Sequence, residues 1–270
     1  MSVRQSRGYR AFLILGSIAC LAGTAYLGWK TFVQTGGAAA DLKKAEEAYA
    51  KGEANLTANP KEAAVQFDVA AMTAEGGLGR LEADKKSGRM TDDELKKMEG
   101  KLHHLVARSI RDRHYAKSQA DGKPLGEQTD SMSGEKYRPY TALTDPADIG
   151  KVNQALVRAF DAAPASPEVV KDAARFELSL AGLRWDVLDK LLPAYQAVSP
   201  NDHRPYYFQA LREFEQQELV DGRWVPTPPA KRSGERVAKA REHLDAAKKN
   251  NSPYWRTAHL DADILAWQLD

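Results

Sequence analysis

From Asp41 onward the apolar residues of this chain recur at intervals of three and four, and many of them are alanine. That period lays them along one stripe of an α-helix. A stripe of small residues also lets a neighbouring helix approach closely. "DLKKAEEAYAKGE" places Leu42, Ala45, Ala48 and Tyr49 on such a stripe, with Gly52 as the expected stop. Pro60 then opens a second helix with the stripe Ala63, Phe67, Ala70 and Ala71. The turn between them is short, which predicts an antiparallel pair. Charged residues make up 28% of the chain and aromatics only 8%, a balance that suits helices better than sheets. The fold class to expect is all-α.

Further along, Gly76, Gly77 and Gly79 predict a break, and "TDDE" at Thr91 to Glu94 is a capping box for a helix running to about Ser118. Gln119 to Thr144 is rich in Gly, Ser, Pro and charge, and reads as a loop or linker between a first helical-hairpin lobe (38–118) and a second region (145–270). Asp145 with Pro146 starts the next helix. From Pro167 the pairs resume, with a turn at Gly182 and a stop at Pro200. "RPYYFQALREFEQQELV" and Glu235 to Lys249 form another pair, separated by "DGRWVPTPPAKRSG", whose Asp221-Gly222 suggests a tiny hairpin. A terminal helix follows, with Tyr254 and Trp255 as its expected anchors. Whether these elements form one solenoid or two lobes is left open.

Ala63, Phe67 and Ala70 align with Ala240, Leu244 and Ala247, each reading alanine, a large apolar residue, alanine. With Gly182 at an interhelix turn, Trp185 near a usually aromatic position and Pro200 at the end, the central unit resembles the tetratricopeptide repeat (TPR). The resemblance covers about half of the chain, roughly 41–76 and 167–270, and the first and last units depart from it by extra residues. It implies a TPR-like helical-hairpin solenoid with a capping helix, and a protein-binding wall lined by residues such as Arg175, Arg184, Tyr206, Tyr207, Gln209 and Arg212.

Ahead of these helices, Arg4, Arg7 and Arg10 precede an uncharged run from Ala11 to Trp29 that Lys30 closes. Nineteen helical residues span roughly 28 Å, close to the hydrocarbon core of a bilayer. The reading is a basic cytoplasmic tail (1–10), a single transmembrane signal-anchor (11–30) and a periplasmic or extracellular bulk, with cleavage near residue 40 as the alternative. Gly16, Ala19, Gly23 and Gly28 would suit close packing against other spans.

Candidate chemistry is sparse. Net charge is +2, which does not describe a nucleic-acid polycation, and no nucleic-acid partner is expected. None of the six histidines has a second ligand at metal spacing, and Cys20 lies in the apolar run. No cofactor, metal or small-molecule substrate is expected, and no constellation specifies a reaction. The helix "KLHHLVARSIRDRHYAK" gathers Lys101, Arg108, Arg111, Arg113 and Lys117 against one acid, Asp112, and is the first candidate for docking an acidic partner or lipid headgroups, the plainer alternative being a solvated face over buried Leu102, Leu105, Val106 and Ile110. Trp224, beside a proline run, is the second, although a Trp that closes the end of a helix pair is the more ordinary expectation. The expected role is a membrane-anchored, non-enzymatic scaffold that binds other proteins, with a stoichiometric subunit of a membrane complex as the alternative and an exported enzyme behind both.

Overall fold

The structure is a computed structural model that describes residues 37–88, 90–129, 136–180, 182–250 and 255–269. The apolar run 11–29 lies outside the described residues. Among those described, no helix is long and apolar enough to cross a membrane.

The described chain is mostly helical. Nine α-helices follow in order: α1 (Ala38–Asn55), α2 (Pro60–Lys86), α3 (Asp92–Ala120), α4 (Pro146–Ala162), α5 (Pro167–Glu177), α6 (Trp185–Val198), α7 (His203–Glu215), α8 (Gly234–Asn250) and α9 (Trp255–Leu269). Two small antiparallel hairpins interrupt them, β1–β2 (Gln128–Thr129, Lys136–Tyr137) and β3–β4 (Glu218–Val220, Arg223–Val225).

Local side-chain caps set several of the helix starts. The Asn59 side chain accepts from the Glu62 amide ahead of Pro60, Thr91 and Glu94 form a reciprocal capping box, and Asp145 accepts from the Ala147 amide. The start of α1 is capped from a distance. Gly37 has no side chain to offer, and the Ala38 amide instead donates to Asp84 Oδ2 at 2.7 Å, near the far end of α2. This bond fixes α1 and α2 as antiparallel neighbours.

Two glycine expectations are corrected. Helix α1 runs through Gly52, which is buried because the Phe67 ring rests on it: a Cβ there would lie 2.6 Å from Phe67 Cε1. Helix α2 continues through Gly76, Gly77 and Gly79 to Lys86. Gly77 marks another close approach, where a Cβ would sit 3.0 Å from a Leu102 methyl. These glycines remove side-chain bulk inside a helix and do not end it.

The segment read as a linker has structure of its own. Helix α3 extends to Ala120, and the chain then forms β1–β2 and a 3₁₀ turn at Tyr140–Ala142 whose Tyr140 is buried edge-on to Phe176, with centroids 5.3 Å apart. Tyr140 and Leu143 belong to the same apolar cluster as Ala38 through Val170. The change of core comes later, within α6: Leu191 and Tyr195 join that first cluster, while Trp185, Leu188 and Leu192 join a second one with α7, α8 and α9. One amphipathic helix thus serves both cores.

The paired stripes are buried as the periodicity requires. Ala63, Phe67, Ala70, Ala240, Leu244, Ala247 and Trp185 are all fully enclosed. Gly182 lies between α5 and α6 with nothing within 4 Å of a Cβ there, so it is a turn residue and does not pack. Asp221 and Gly222 both take positive φ (50° and 75°), the backbone that a two-residue hairpin turn demands. Trp255, expected to anchor α9, is instead 65% exposed; Leu260 and Ile264 hold that helix.

Candidate functional site

On α3, His104, Arg108, Arg111 and Tyr115 follow one another at four, three and four residues, so they form a single stripe. The stripe faces α1 on one side and α5 on the other, and β1–β2 lies across it. The half-open space between them is a cavity of about 300 Å³ lined by Tyr49 and Glu53 of α1, by His104, Arg108 and Arg111, by Glu127 ahead of β1, by Lys136 to Arg138 of the hairpin and its exit, and by Lys171, Asp172 and Arg175 of α5. Pro167 and Glu168, in the first turn of α5, stand at the rim.

Two buried carboxylates organise the cations. Asp112 is fully enclosed. It takes Arg111 Nε at 2.8 Å and Arg111 Nη2 at 3.2 Å, it accepts a short hydrogen bond from the Tyr49 hydroxyl, and Arg138 Nη1 is 3.1 Å away. Burial by itself would raise its carboxyl pKa, but Arg111, Arg138 and the tyrosine bond together hold it below the ordinary carboxylate value. Asp172 meets His104 Nε2 at 2.9 Å, Arg111 Nη1 at 3.5 Å and Arg175 Nη1 at 3.8 Å. Burial opposes its ionisation too, and Arg111 with His104 overcomes it, leaving the carboxyl well below the usual range. The same surroundings push the Tyr49 hydroxyl up, first through burial and then through Asp112, so it stays a donor at neutral pH.

The hairpin ties this wall together. Arg138 forms a two-pronged pair with Glu53, its Nη2 lying 2.8 Å from Oε2. Arg175 lies 4.1 Å from the centre of the Tyr137 ring, and Arg111 lies 5.1 Å from that of Tyr140.

Arg108 differs from its neighbours. Its Nη2 donates to the Tyr49 hydroxyl at 3.1 Å and its guanidinium lies 4.8 Å from the centre of that ring. Among the described residues no carboxylate stands within ion-pair distance of it, whereas Arg111, Arg138 and Arg175 all have one. Tyr49 therefore holds a half-buried cation at the cavity without neutralising it.

The basic helix seen in the sequence is thus divided. Arg108 and Arg111 reach the cavity, but Arg113 follows Arg111 by about 200° of helical rotation. It joins α3 to α2 and α4 through Asp68 (2.6 Å) and Asp148 (2.5 Å), with His114 also 2.7 Å from Asp148. Lys117 is exposed on a separate surface.

The other sequence candidates are mostly embedded in packing. Arg184 donates to Asn153 Oδ1 at 2.6 Å and pairs with the buried Glu177, whose carboxyl burial raises and Arg184 lowers, with burial prevailing. Tyr207 is buried beside Phe208, and half-buried Tyr206 donates to the Pro200 carbonyl at 3.1 Å. Arg212 lies between the Trp185 and Trp224 rings, 5.3 and 4.8 Å from their centres, and also binds Asp189 and the Gln217 carbonyl. Half-buried Trp224 is one side of that sandwich and packs against the second core. These residues do not gather with Arg108.

Sequence reading missed Tyr49, Glu53, Lys171, Asp172 and Arg138 at this site. The available signal was the polar stripe His104, Arg108, Arg111, Tyr115 on a helix whose other positions include Leu102, Leu105, Val106 and Ile110; a polar stripe opposite an apolar one requires polar partners once both are covered. Among the described residues, no group of three or more His, Cys, Asp or Glu side chains is arranged to hold a metal ion. No known family model matches this chain, and no curated protein or solved structure is significantly similar to it.

Proposed function

We propose that the protein is a membrane-anchored, TPR-like helical scaffold that holds an acidic segment of a partner protein in the Arg108 cavity. The observation that carries this reading is a half-buried guanidinium held by Tyr49 with no carboxylate within ion-pair distance among the described residues, acted on by Asp172 only at longer range, in a cavity where cations outnumber acids. An ion of this kind is costly to bury alone and gains from an incoming carboxylate, because charge-assisted hydrogen bonds contribute roughly 1.5–3 kcal/mol each. At about 300 Å³ the cavity is at the small end of ligand sites and suits one or two acidic side chains or a chain terminus. The first turn of α5 at the rim adds the positive end of a helix dipole. The apolar run 11–29, read as an anchor, would present this cavity to proteins of the same membrane.

The test is quantitative co-purification from native membranes with Arg108→Gln, using Lys117→Gln as the control on the same helix. Proteins recovered with the parent chain and with Lys117→Gln should fall about tenfold or more with Arg108→Gln, as the loss of roughly 1.4 kcal/mol or more implies. An unchanged partner set, with the variant still folded, refutes the reading.

A further inference from the structure

Helix α2 has two apolar faces. One is the core face: Phe67, Ala70, Ala71, Ala74 and Gly77, all buried. On the other side Val65, Val69 and Met72 are 54, 43 and 66% exposed, and Gly76, Gly79 and Ala83 continue the row, exposed as well. Their spacing alternates four and three, the repeat of a helix–helix seam. A Cβ built on Gly76 or on Gly79 meets nothing within 4 Å, so the second half of the row is a shallow notch while the first half stands proud.

We propose that this face is covered by the same face of a second copy of the chain, with the two α2 helices antiparallel. About a twofold axis at the level of Ala74, Met72 falls on the second copy's Gly76, Val69 on its Gly79 and Val65 on its Ala83. Each large side chain therefore meets a small one. The next layer outward pairs Glu62 with Lys86 of the other copy, so opposite charges close both ends of the seam. A parallel arrangement fails on both counts: it sets Met72 on Met72, glycine on glycine, Glu62 on Glu62 and Lys86 on Lys86. Along the flank of the seam Asp68 pairs with Arg113 and Glu75 with Lys151 within each chain, while exposed Lys86, 3.5 Å from Glu82 of its own chain, exchanges that surface partner for Glu62 of the other copy. From Glu62 to Lys86 the helix is about 36 Å long. A single helix pair of that length buries less than the roughly 1,200 Å² of a standard stable interface, so the dimer is weak and reversible.

The experiment uses the full chain with its sole cysteine changed, Cys20→Ser, carrying either Val69→Cys or Gly79→Cys. In the antiparallel seam each of these positions is about 15 Å from its own copy, beyond the Cα separation of roughly 7 Å that a disulfide bridges. Oxidation should leave either variant monomeric on its own and give a crosslinked dimer when the two are mixed. Crosslinking of each variant alone, or none in the mixture while both stay folded, overturns the proposal. Gly79→Leu is an independent check, because it fills the notch without touching its own chain. It should leave the melting temperature unchanged or higher and weaken self-association at least tenfold by sedimentation. Unchanged self-association overturns the proposal.

Discussion

Replacing Asp112 with asparagine removes one negative charge from between Arg111 and Arg138 and changes almost nothing in volume. Arg111 has only 7% of its side chain exposed and makes two bonds to Asp112, while Arg138 is 12% exposed and shares the same carboxylate. In the variant, Arg111 retains Asp172 at 3.5 Å and Arg138 retains Glu53, so neither cation is left entirely without an acid. Even so, two enclosed guanidinium groups lose their common counter-charge, and the amide NH₂ would point at one of them. Removing one member of a buried pair costs about 3–5 kcal/mol. The remaining acids argue for the lower part of that range, about 3 kcal/mol. For a domain of this size that lowers the melting temperature by roughly 6–12 °C. Urea unfolding of the parent and of Asp112→Asn, followed by circular dichroism, measures it directly. Glu53→Gln provides the scale, because that carboxylate is 39% exposed and its pairing is worth at most about 1 kcal/mol. If Asp112→Asn cost no more than Glu53→Gln, the reasoning that Asp112 organises the wall would fail.

Gly52→Ala should destabilise the chain by about 1–3 kcal/mol despite improving helix propensity, because the new methyl enters the Phe67 ring. Gly150→Ala, with open space around it on α4, should stabilise by about 0.5–1 kcal/mol in the same denaturant titration; equal signs at the two positions would refute the close-contact reading of Gly52. Burial first, and Arg158 second, lower the His103 pKa from 6.5 to about 4. The unfolded chain therefore takes up that proton first, and stability should fall as pH drops from 6.5 to 4, by at most about 2 kcal/mol once solvent screening of this partly exposed ring is allowed for. His103→Gln should flatten that slope; an unchanged slope refutes it. Below about pH 4 a further loss is expected as Asp112 and Asp172, both held low in the fold, must be protonated; it should persist in His103→Gln and shrink in Asp112→Asn.

Helix starts were legible because their signals are written in a few consecutive residues: Pro60 itself, Thr91 to Glu94, Asp145 before Pro146. The buried stripes were legible for the same reason, since a period of three and four needs no knowledge of the neighbour. Glycine was not, because its meaning depends on what arrives from elsewhere. Only the position of Phe67 makes Gly52 a contact, and only α3 gives Gly77 its purpose. The cap of α1 was equally hidden, as Asp84 lies 46 residues from the amide it binds. The cavity was half legible. Arg108 and Arg111 stand together in the sequence, but the assignment of Arg113 and Lys117 to the same site ignored the rotation of the helix. Glu53, Arg138 and Asp172 come from three further segments that only the packed chain brings within reach. The hairpin that closes the cavity looked like a linker because polar, glycine-rich composition describes a strap as well as a tether.

The decisive measurement is photo-crosslinking in native membranes from a probe at Tyr137, on the rim of the cavity, in chains with and without Arg108→Gln. If the cavity receives an acidic segment, the probe should capture a peptide rich in Asp or Glu, and Arg108→Gln should abolish that capture while leaving the melting temperature close to that of the parent. Capture of the same peptide at the same yield from both chains would contradict a role for Arg108 in holding a partner.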